Sequence, residues 1–230
     1  MKKYFVVILV LILGIFAQAQ SDAPSLEIAK ATLKAHGGEK LNQAKTMVLR
    51  GSVDVSAPNS AQTLPASFAI VLAGEKYRFE IQSAIFNFQQ ISDGFNTSSS
   101  IPGFSLPPIN RVGLFILPRI EEAGFLVSPL PEKFKKKKGF RVTSPEGYYS
   151  DFLVDEKTSL VKEYESSYQY GGRLVSTSVA IEKYKEVDGV LVNEKFSQRL
   201  DLGQNSAYAN FKATNISINS EVANDIFIIK

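Results

Sequence analysis

The sequence predicts an α+β protein in which a curved antiparallel sheet of about ten strands forms a half-barrel, covered by an N-terminal helix and an irregular lid. Most of the chain consists of short apolar and aromatic segments separated by turn residues, which is typical of antiparallel strands. One helical pattern precedes these segments, and a proline- and serine-rich stretch at 96–131 interrupts them. Because no repeat or long linker divides the chain, we expect one domain over residues 20–230.

The first 19 residues have the pattern of a secretory signal peptide. Lys2 and Lys3 precede an apolar run, and Ala17 and Ala19 supply the small residues of an A-x-A cleavage site. The apolar run of about 13 residues is shorter than the roughly 20 that a membrane-spanning helix needs. We therefore expect export to the periplasm with cleavage near Ala19.

Composition excludes several classes of function. The chain has no cysteine and a single histidine, His36, which excludes thiol chemistry and leaves little for histidine-based metal clusters or catalytic triads. Without the two leader lysines the formal charge falls from +3 to +1, so there is no electrostatic case for binding nucleic acid. The 16 phenylalanines and 9 tyrosines instead indicate large packed sheets or an apolar pocket. We expect no metal and no cofactor.

The first element after the leader is a helix at 26–35, with Ser25 as its N-cap and Gly37 and Gly38 after its end. The segments that follow read as strands because apolar and polar residues alternate along them and turn residues separate them. The expected strands are 46–55, 68–72, 77–82, 85–91, 140–144, 148–154, 160–170, 173–184, 190–200 and 207–218.

Residues 96–131 lack this strand pattern. Prolines from Pro102 to Pro131 enclose an apolar segment at 112–126, in which Pro118 would break or kink a single helix. Two short helices or turns are therefore predicted here, and a brief capped turn is predicted at 220–225.

Few side chains are candidates for catalysis. His36 could be a lone base or ligand, or an ordinary residue at a helix C-terminus, where its charged form would suit the helix dipole. Asp93, Asp151 and Asp155 could supply the paired carboxylates of a glycosidase, but Asp93 and Asp155 lie in turn sequences where Asp is common. We expect a protein that is not an enzyme.

A basic stretch at 133–138 has two interpretations. It is either a solvated loop between strands or a contact with anionic lipid or an acidic partner, assisted by Phe134. Its lysines are Lys133, Lys135, Lys136, Lys137 and Lys138.

Apolar side chains alternate on three consecutive predicted strands and would pave one face of the sheet. They are Phe68, Ile70 and Leu72 on the first, Tyr77, Phe79 and Ile81 on the second, and Phe86 and Phe88 on the third. This face is either an ordinary core beneath the helix or the wall of a ligand cavity beneath the 96–131 segment. One helix is little cover for so much apolar surface, which favours a cavity.

Several stretches resemble the periplasmic lipoprotein-carrier family, the LolA-like proteins. They are the strand–turn–strand at 68–81, the Ser-Asp-Gly turn at 91–94, the later turns at 154–161 and 184–192, and the closing strand and turn at 216–227. The resemblance implies a monomeric half-barrel that binds a lipid, an acyl chain or a lipidated protein without catalysis. From the strand alternation and the proline-rich segment we expect Phe68, Ile70, Tyr77, Phe79, Phe86 and Phe88 in the apolar wall, and Leu114, Phe115, Leu117 and Ile120 in the lid. The alternative is a scaffold or interaction module whose cavity is filled by side chains.

Overall fold

A twelve-stranded antiparallel sheet organises the computed structural model, which describes residues 20–56, 62–170, 173–202 and 205–229. The predicted signal peptide at 1–19 lies outside the described residues. The strands are β1 Thr46–Ser56, β2 Thr63–Ala73, β3 Lys76–Gln82, β4 Asn87–Ser92, β5 Thr97–Ser99, β6 Leu126–Ser128, β7 Gly139–Thr143, β8 Tyr149–Val154, β9 Val161–Tyr170, β10 Arg173–Val187, β11 Val190–Leu202 and β12 Asn205–Ile218. No helix among these residues is long and apolar enough to cross a membrane.

The strand order confirms the predicted curved antiparallel half-barrel. Neighbours in the sheet follow the order β5-β4-β3-β2-β1-β12-β11-β10-β9-β8-β7-β6, so the first and last strands pair at its centre. The sheet has twelve strands rather than about ten because β5 and β6 each add three residues at an outer edge. Three residues are too few to show the alternation by which strands are recognised in a sequence. The strand expected from Ile85 begins at Asn87, since Ile85 and Phe86 belong to the preceding turn.

The segment between the two edge strands, residues 100–125, is here called the strap. Because β5 and β6 lie at opposite edges, the strap has to pass across the inner face of the sheet. It contains one 3₁₀ helix, Gly113–Arg119, with Pro118 inside it, followed by turns. The two short helices or turns expected from the sequence are therefore a single 3₁₀ helix and turns.

Two helices precede the sheet, α1 at Ala23–Ala35 and α2 at Glu39–Asn42. The N-cap of α1 is Asp22 and not Ser25, because the Asp22 carboxylate accepts a hydrogen bond from the Ser25 backbone N–H at 3.0 Å. A proline in the first turn suits this earlier start, since proline fixes a helical φ and needs no N–H partner there. The helix ends before Gly37, as predicted. The four-residue α2 was not predicted, because it is too short for a helical pattern.

The two halves of the inner face have different cover. Helix α1 packs on β6 and β7 and encloses a tight apolar cluster with the strap. The inner faces of β1–β4 and β10–β12 form a second and larger cluster, which α1 does not cover and which the strap and α2 touch instead. On the outer face, Phe227 from the C-terminal segment packs on Val48, Val71 and Ile91.

The centre of the sheet depends on a glycine. At Gly51 the pairing of β1 with β12 shifts register, which marks a bulge. A Cβ atom added to Gly51 would lie 1.9 Å from the backbone oxygen of Lys212, so no other residue fits without moving β12. A bulge increases the local bend and twist of a sheet, which suits a half-barrel.

A buried ion pair fixes the β7–β8 hairpin. The Asp151 side chain has no exposed surface, and its two oxygens accept hydrogen bonds from the Arg141 guanidinium at 2.6 and 2.8 Å. The guanidinium also stacks on the Tyr149 ring, 3.9 Å from its centre. The pair orders the hairpin because the buried Asp151 carboxylate depends on Arg141, whose own side chain is 26% exposed, to balance its charge.

Removing Arg141 should leave the buried Asp151 carboxylate without its partner. We expect Arg141→Ala to lower the free energy of unfolding by about 3–5 kcal/mol, measured by urea denaturation. The matched control is Arg199→Ala, because Arg199 pairs with Asp201 at the surface and its loss should cost under ~1 kcal/mol. Equal losses in the two variants would contradict the structural role given to the buried pair.

Candidate functional site

An apolar cavity of about 90 Å³ lies between the strap and the inner face of the sheet. Strands from both sides of the β1–β12 pair contribute to its wall, and α2 and the strap close it. The apolar residues that line it are Leu41, Met47, Leu49, Ile70, Phe79, Leu106, Pro107, Ile109, Val112, Leu114, Phe115, Leu117, Val179, Leu191, Val192, Phe196 and Phe211. Because these side chains come from distant parts of the sequence, the cavity exists only in the folded sheet.

The predicted wall residues divide into two groups. Ile70 and Phe79 line the cavity. The other four predicted wall residues pack around it in the same inner core, with Phe86 only partly buried at the turn before β4. They are Phe68, Tyr77, Phe86 and Phe88. The alternating pattern therefore identified the correct face of the sheet, although only two of its side chains reach the open space.

Three of the four predicted lid residues line the cavity, and the fourth does not. Leu114, Phe115 and Leu117 line the cavity from the strap. Ile120 lies instead in the cluster beneath α1, where it is almost completely buried. The 3₁₀ helix thus has one side towards the cavity and one towards α1.

Most of the cavity wall was not predicted from the sequence, because 12 of its 17 described apolar lining residues were not among the predicted wall and lid residues. Most of these come from the strap at 106–112 and from β10–β12, including Val179, Val192, Phe196 and Phe211. The rings of Phe196 and Phe211 stack with their centres 4.6 Å apart. Alternation along β10–β12 was a usable signal, but it does not say which strands face each other across the sheet.

Gln90 attaches the strap to the sheet. Its side-chain amide accepts a hydrogen bond from the Leu106 N–H at 2.7 Å and donates one to the Leu106 carbonyl at 3.0 Å. The same amide donates to the Tyr77 hydroxyl at 2.7 Å and accepts from the Ser105 hydroxyl at 3.0 Å. Gln90 is 1% exposed and occupies an inward position of β4 where the alternation calls for an apolar residue. That polar interruption was the signal from which the contact could have been predicted.

Polar side chains occupy one part of the apolar cavity wall. The Tyr164 hydroxyl is buried there, and burial raises the pKa of Tyr164 well above its usual value. Asn193 also lines the cavity, and its Oδ1 has no hydrogen-bond partner among the described residues. The Gln198 side-chain amide donates a hydrogen bond of 2.9 Å to the Thr177 hydroxyl. The cavity therefore offers a few polar contacts within a mostly apolar wall.

His36 is a buried structural residue at the end of α1. Its Nε2 accepts a hydrogen bond from the Val161 N–H at 3.2 Å, and its Nδ1 lies 3.4 Å from the Leu191 carbonyl oxygen. Burial lowers its pKa to about 4, so the ring is neutral at pH 7. The helix dipole would favour the charged form of His36, but the ring is not charged at pH 7, because the cost of removing the charge from water outweighs the dipole. The ring joins α1 to β9 and β11.

The three candidate carboxylates lie in separate structural roles. Asp93 accepts hydrogen bonds from the Phe95 and Asn96 N–H groups in the β4–β5 turn, which lowers its pKa. Asp155 caps the β8–β9 turn and pairs with Lys162, while Asp151 is held by Arg141. They do not form a pair. Over the described ranges, no three His, Asp or Glu side chains are grouped so that they could hold a metal ion.

The lysine run begins at Lys133, inside a short 3₁₀ helix at Glu132–Phe134, and continues in the loop between β6 and β7. Lys133 pairs with Glu165 and Lys135 with Glu132, both at 2.5 Å. Lys138 donates to the Glu156 carbonyl at 3.3 Å, and Lys136 and Lys137 are exposed. Contact of this loop with an anionic surface stays a prediction.

Comparisons with solved structures identify the fold. A LolA superfamily protein from Nitrosomonas europaea is 12% identical, with a TM-score of 0.55, and the match covers 89% of this chain and 97% of that one. A DUF1329 family protein from Desulfovibrio piger is 10% identical, with a TM-score of 0.53 and the same coverage. No family model matches the sequence, and no curated protein does. The chain therefore has the LolA-like fold that the sequence motifs indicated, in a divergent form.

The low pKa of His36 predicts a loss of stability in acid. Between its ordinary value of 6.5 and about 4, the unfolded chain binds a proton that the folded chain does not, so the free energy of unfolding falls as the pH falls. The full effect is about 3 kcal/mol. His36→Gln keeps a donor and an acceptor at this position but cannot titrate. We therefore expect its free energy of unfolding to fall less in acid than that of the wild type, by this amount.

Urea denaturation of both proteins at pH 7, 6, 5 and 4 measures the difference directly. Parallel pH profiles for the wild type and His36→Gln would show that burial of His36 does not govern the acid response.

Proposed function

We propose that this chain is an exported, non-catalytic carrier that holds a lipid, an acyl chain or a lipidated protein beneath the strap. Residues 1–19 would direct export, and a monomer would bind the ligand. The observation that carries the proposal is the apolar cavity beneath a cover of mostly irregular backbone.

Entry of a ligand requires the strap to move. The cavity of about 90 Å³ is smaller than the apolar cavity of about 150 Å³ that holds benzene in an engineered protein. An acyl chain therefore displaces Leu114, Phe115 and Leu117 from the sheet and takes over their apolar contacts. Burial of each methylene contributes about 0.8 kcal/mol, before the costs of ordering the chain.

The strap is suited to such movement because polar contacts hold it at a few points. Gln90 holds Leu106, and the Asn110 amide donates to the Glu75 carbonyl at 2.8 Å. Further along, the Gly113 N–H donates to the Ser150 hydroxyl at 2.9 Å. Water can replace hydrogen bonds of this kind when the strap opens, so their net cost is small.

The second candidate function is a scaffold with a filled cavity. The stacked rings of Phe196 and Phe211 and the small cavity volume favour it. The two candidates differ in one property, which is whether the cavity opens to accept an apolar ligand.

Opening can be tested through Gln90. We expect Gln90→Leu to increase hydrogen–deuterium exchange at the Leu106 amide by roughly tenfold or more, because three hydrogen bonds to the strap are lost, two to Leu106 and one to Ser105. The control is Gln89→Leu, since the Gln89 side chain bonds Glu80 at 2.8 Å and not the strap. If both variants exchange like the wild type, Gln90 does not hold the strap closed.

Ligand binding can be tested on protein exported with its own leader and purified from a periplasm. Native mass spectrometry and lipid extraction should find a bound acyl lipid. Leu114→Trp should reduce the bound fraction at least about tenfold, because the larger ring occupies space that the ligand needs. The control is Leu174→Trp, where the side chain is 58% exposed on β10. Absence of lipid from the wild type, together with no binding of added octanoate esters, would favour the filled scaffold.

A further inference from the structure

The strap separates the apolar cavity from a second space, a polar cleft of about 340 Å³. Successive residues of the strap face different spaces. Pro107, Ile109 and Val112 line the cavity, whereas Pro108, Asn110 and Arg111 line the cleft, and Leu106 lines both. The strap is therefore a thin wall between an apolar compartment and a polar one.

The cleft is rich in hydroxyl groups. Tyrosine, serine and threonine side chains come to it from four strands, the strap and the β7–β8 turn, and they are Tyr77, Ser92, Thr97, Ser105, Tyr148 and Tyr168. The Tyr168 hydroxyl donates to the Ser105 carbonyl at 3.3 Å, which places it against the strap. Hydroxyl groups both donate and accept, so this surface suits a ligand that does the same.

Asn110 brings an unused acceptor to the cleft. The side chain is 8% exposed, and its Oδ1 has no hydrogen-bond partner among the described residues. Leaving a buried acceptor unpaired costs free energy. A ligand group with an O–H or N–H that reaches this oxygen as the strap shifts removes that cost.

The charges at the cleft are already balanced. Arg111 is the one cation among the described residues that line it, and it pairs with Glu75 at 2.9 Å and Glu146 at 3.2 Å. Arg119 pairs with the same Glu75 at 3.1 Å. A phosphate or carboxylate would have to compete with these carboxylates for Arg111. An uncharged head group avoids that competition.

We propose that the ligand is an amphiphile with an uncharged, hydroxyl-bearing head group, such as an acylglycerol or a glycolipid. Its chain lies in the apolar cavity and its head group in the polar cleft, with the strap displaced around Leu106. This inference rests on the proposed carrier function and specifies the ligand of the same cavity. Asn110 and the tyrosine hydroxyls then recognise the head group, while the cavity binds the acyl chain whichever head group it carries.

Three probes with one chain length separate the two parts of the ligand. They are 1-octanoylglycerol, methyl octanoate and octyl phosphate, each titrated calorimetrically below its micellar concentration into the full-length mature protein. We expect 1-octanoylglycerol to bind about tenfold more tightly than either other probe, because it alone offers uncharged hydroxyl donors.

Variants in the cleft should reduce this preference. Tyr148→Phe should leave the binding of methyl octanoate unchanged, whereas Asn110→Leu also removes the hydrogen bond of the strap to Glu75, so its effect is measured as the ratio of the affinities for 1-octanoylglycerol and methyl octanoate. Asn110→Leu removes the acceptor, and Asn87→Leu, at the exposed start of β4, is its matched control. Tyr148→Phe removes one hydroxyl with little change of shape, so it provides a second test if Asn110→Leu does not fold. It should reduce the preference by roughly threefold or more.

The outcomes distinguish this inference from the function on which it rests. If none of the three probes binds, the carrier function fails and the head-group inference fails with it. If methyl octanoate and 1-octanoylglycerol bind equally and Asn110→Leu changes nothing, the carrier function stands and the cleft does not select the head group. Tighter binding of octyl phosphate than of 1-octanoylglycerol would contradict the proposal that the head group is uncharged.

Discussion

The chain has to cross the inner face of its own sheet, because β5 and β6 are consecutive in sequence but lie at opposite edges. This topological constraint determines what covers the apolar face. Helix α1 covers the β6–β7 side, where side chains interlock tightly. The remaining face receives the strap, most of which has no regular structure. Buried backbone outside helices and strands needs other hydrogen-bond partners, and Gln90 provides them at Leu106.

The two halves of the molecule are therefore stabilised in different ways. In the α1 half, the Arg141–Asp151 pair connects β7 to β8, and the neutral His36 ring connects α1 to β9 and β11. On the strap side, the apolar packing is interrupted by a cavity, and the strap is held by the hydrogen bonds of Gln90 and Asn110 and by the ion pairs of Arg111 and Arg119. The proposed carrier function requires the strap side to open while the α1 side stays closed.

Much of the sheet could be predicted because alternation is a local property. Phe68 and Ile70 on β2 and Tyr77 and Phe79 on β3 all lie on the inner face that the pattern predicted. The size of the cavity could not be predicted, because it depends on how Phe196 and Phe211 meet the strap. The two edge strands are too short to form a pattern. The protonation of His36 depends on neighbours at Val161 and Leu191, which are far away in the sequence.

The pairing of β1 with β12 has a consequence for the order of assembly. Met47 lies opposite Ile218, and Gly51 admits the backbone of Lys212 at the bulge. During synthesis, β1–β5 and β6–β11 can form separately, but each keeps an unpaired edge until the last strand has left the ribosome. Contacts so distant in sequence slow folding. The sheet therefore cannot close until β12 is available to pair with both β1 and β11.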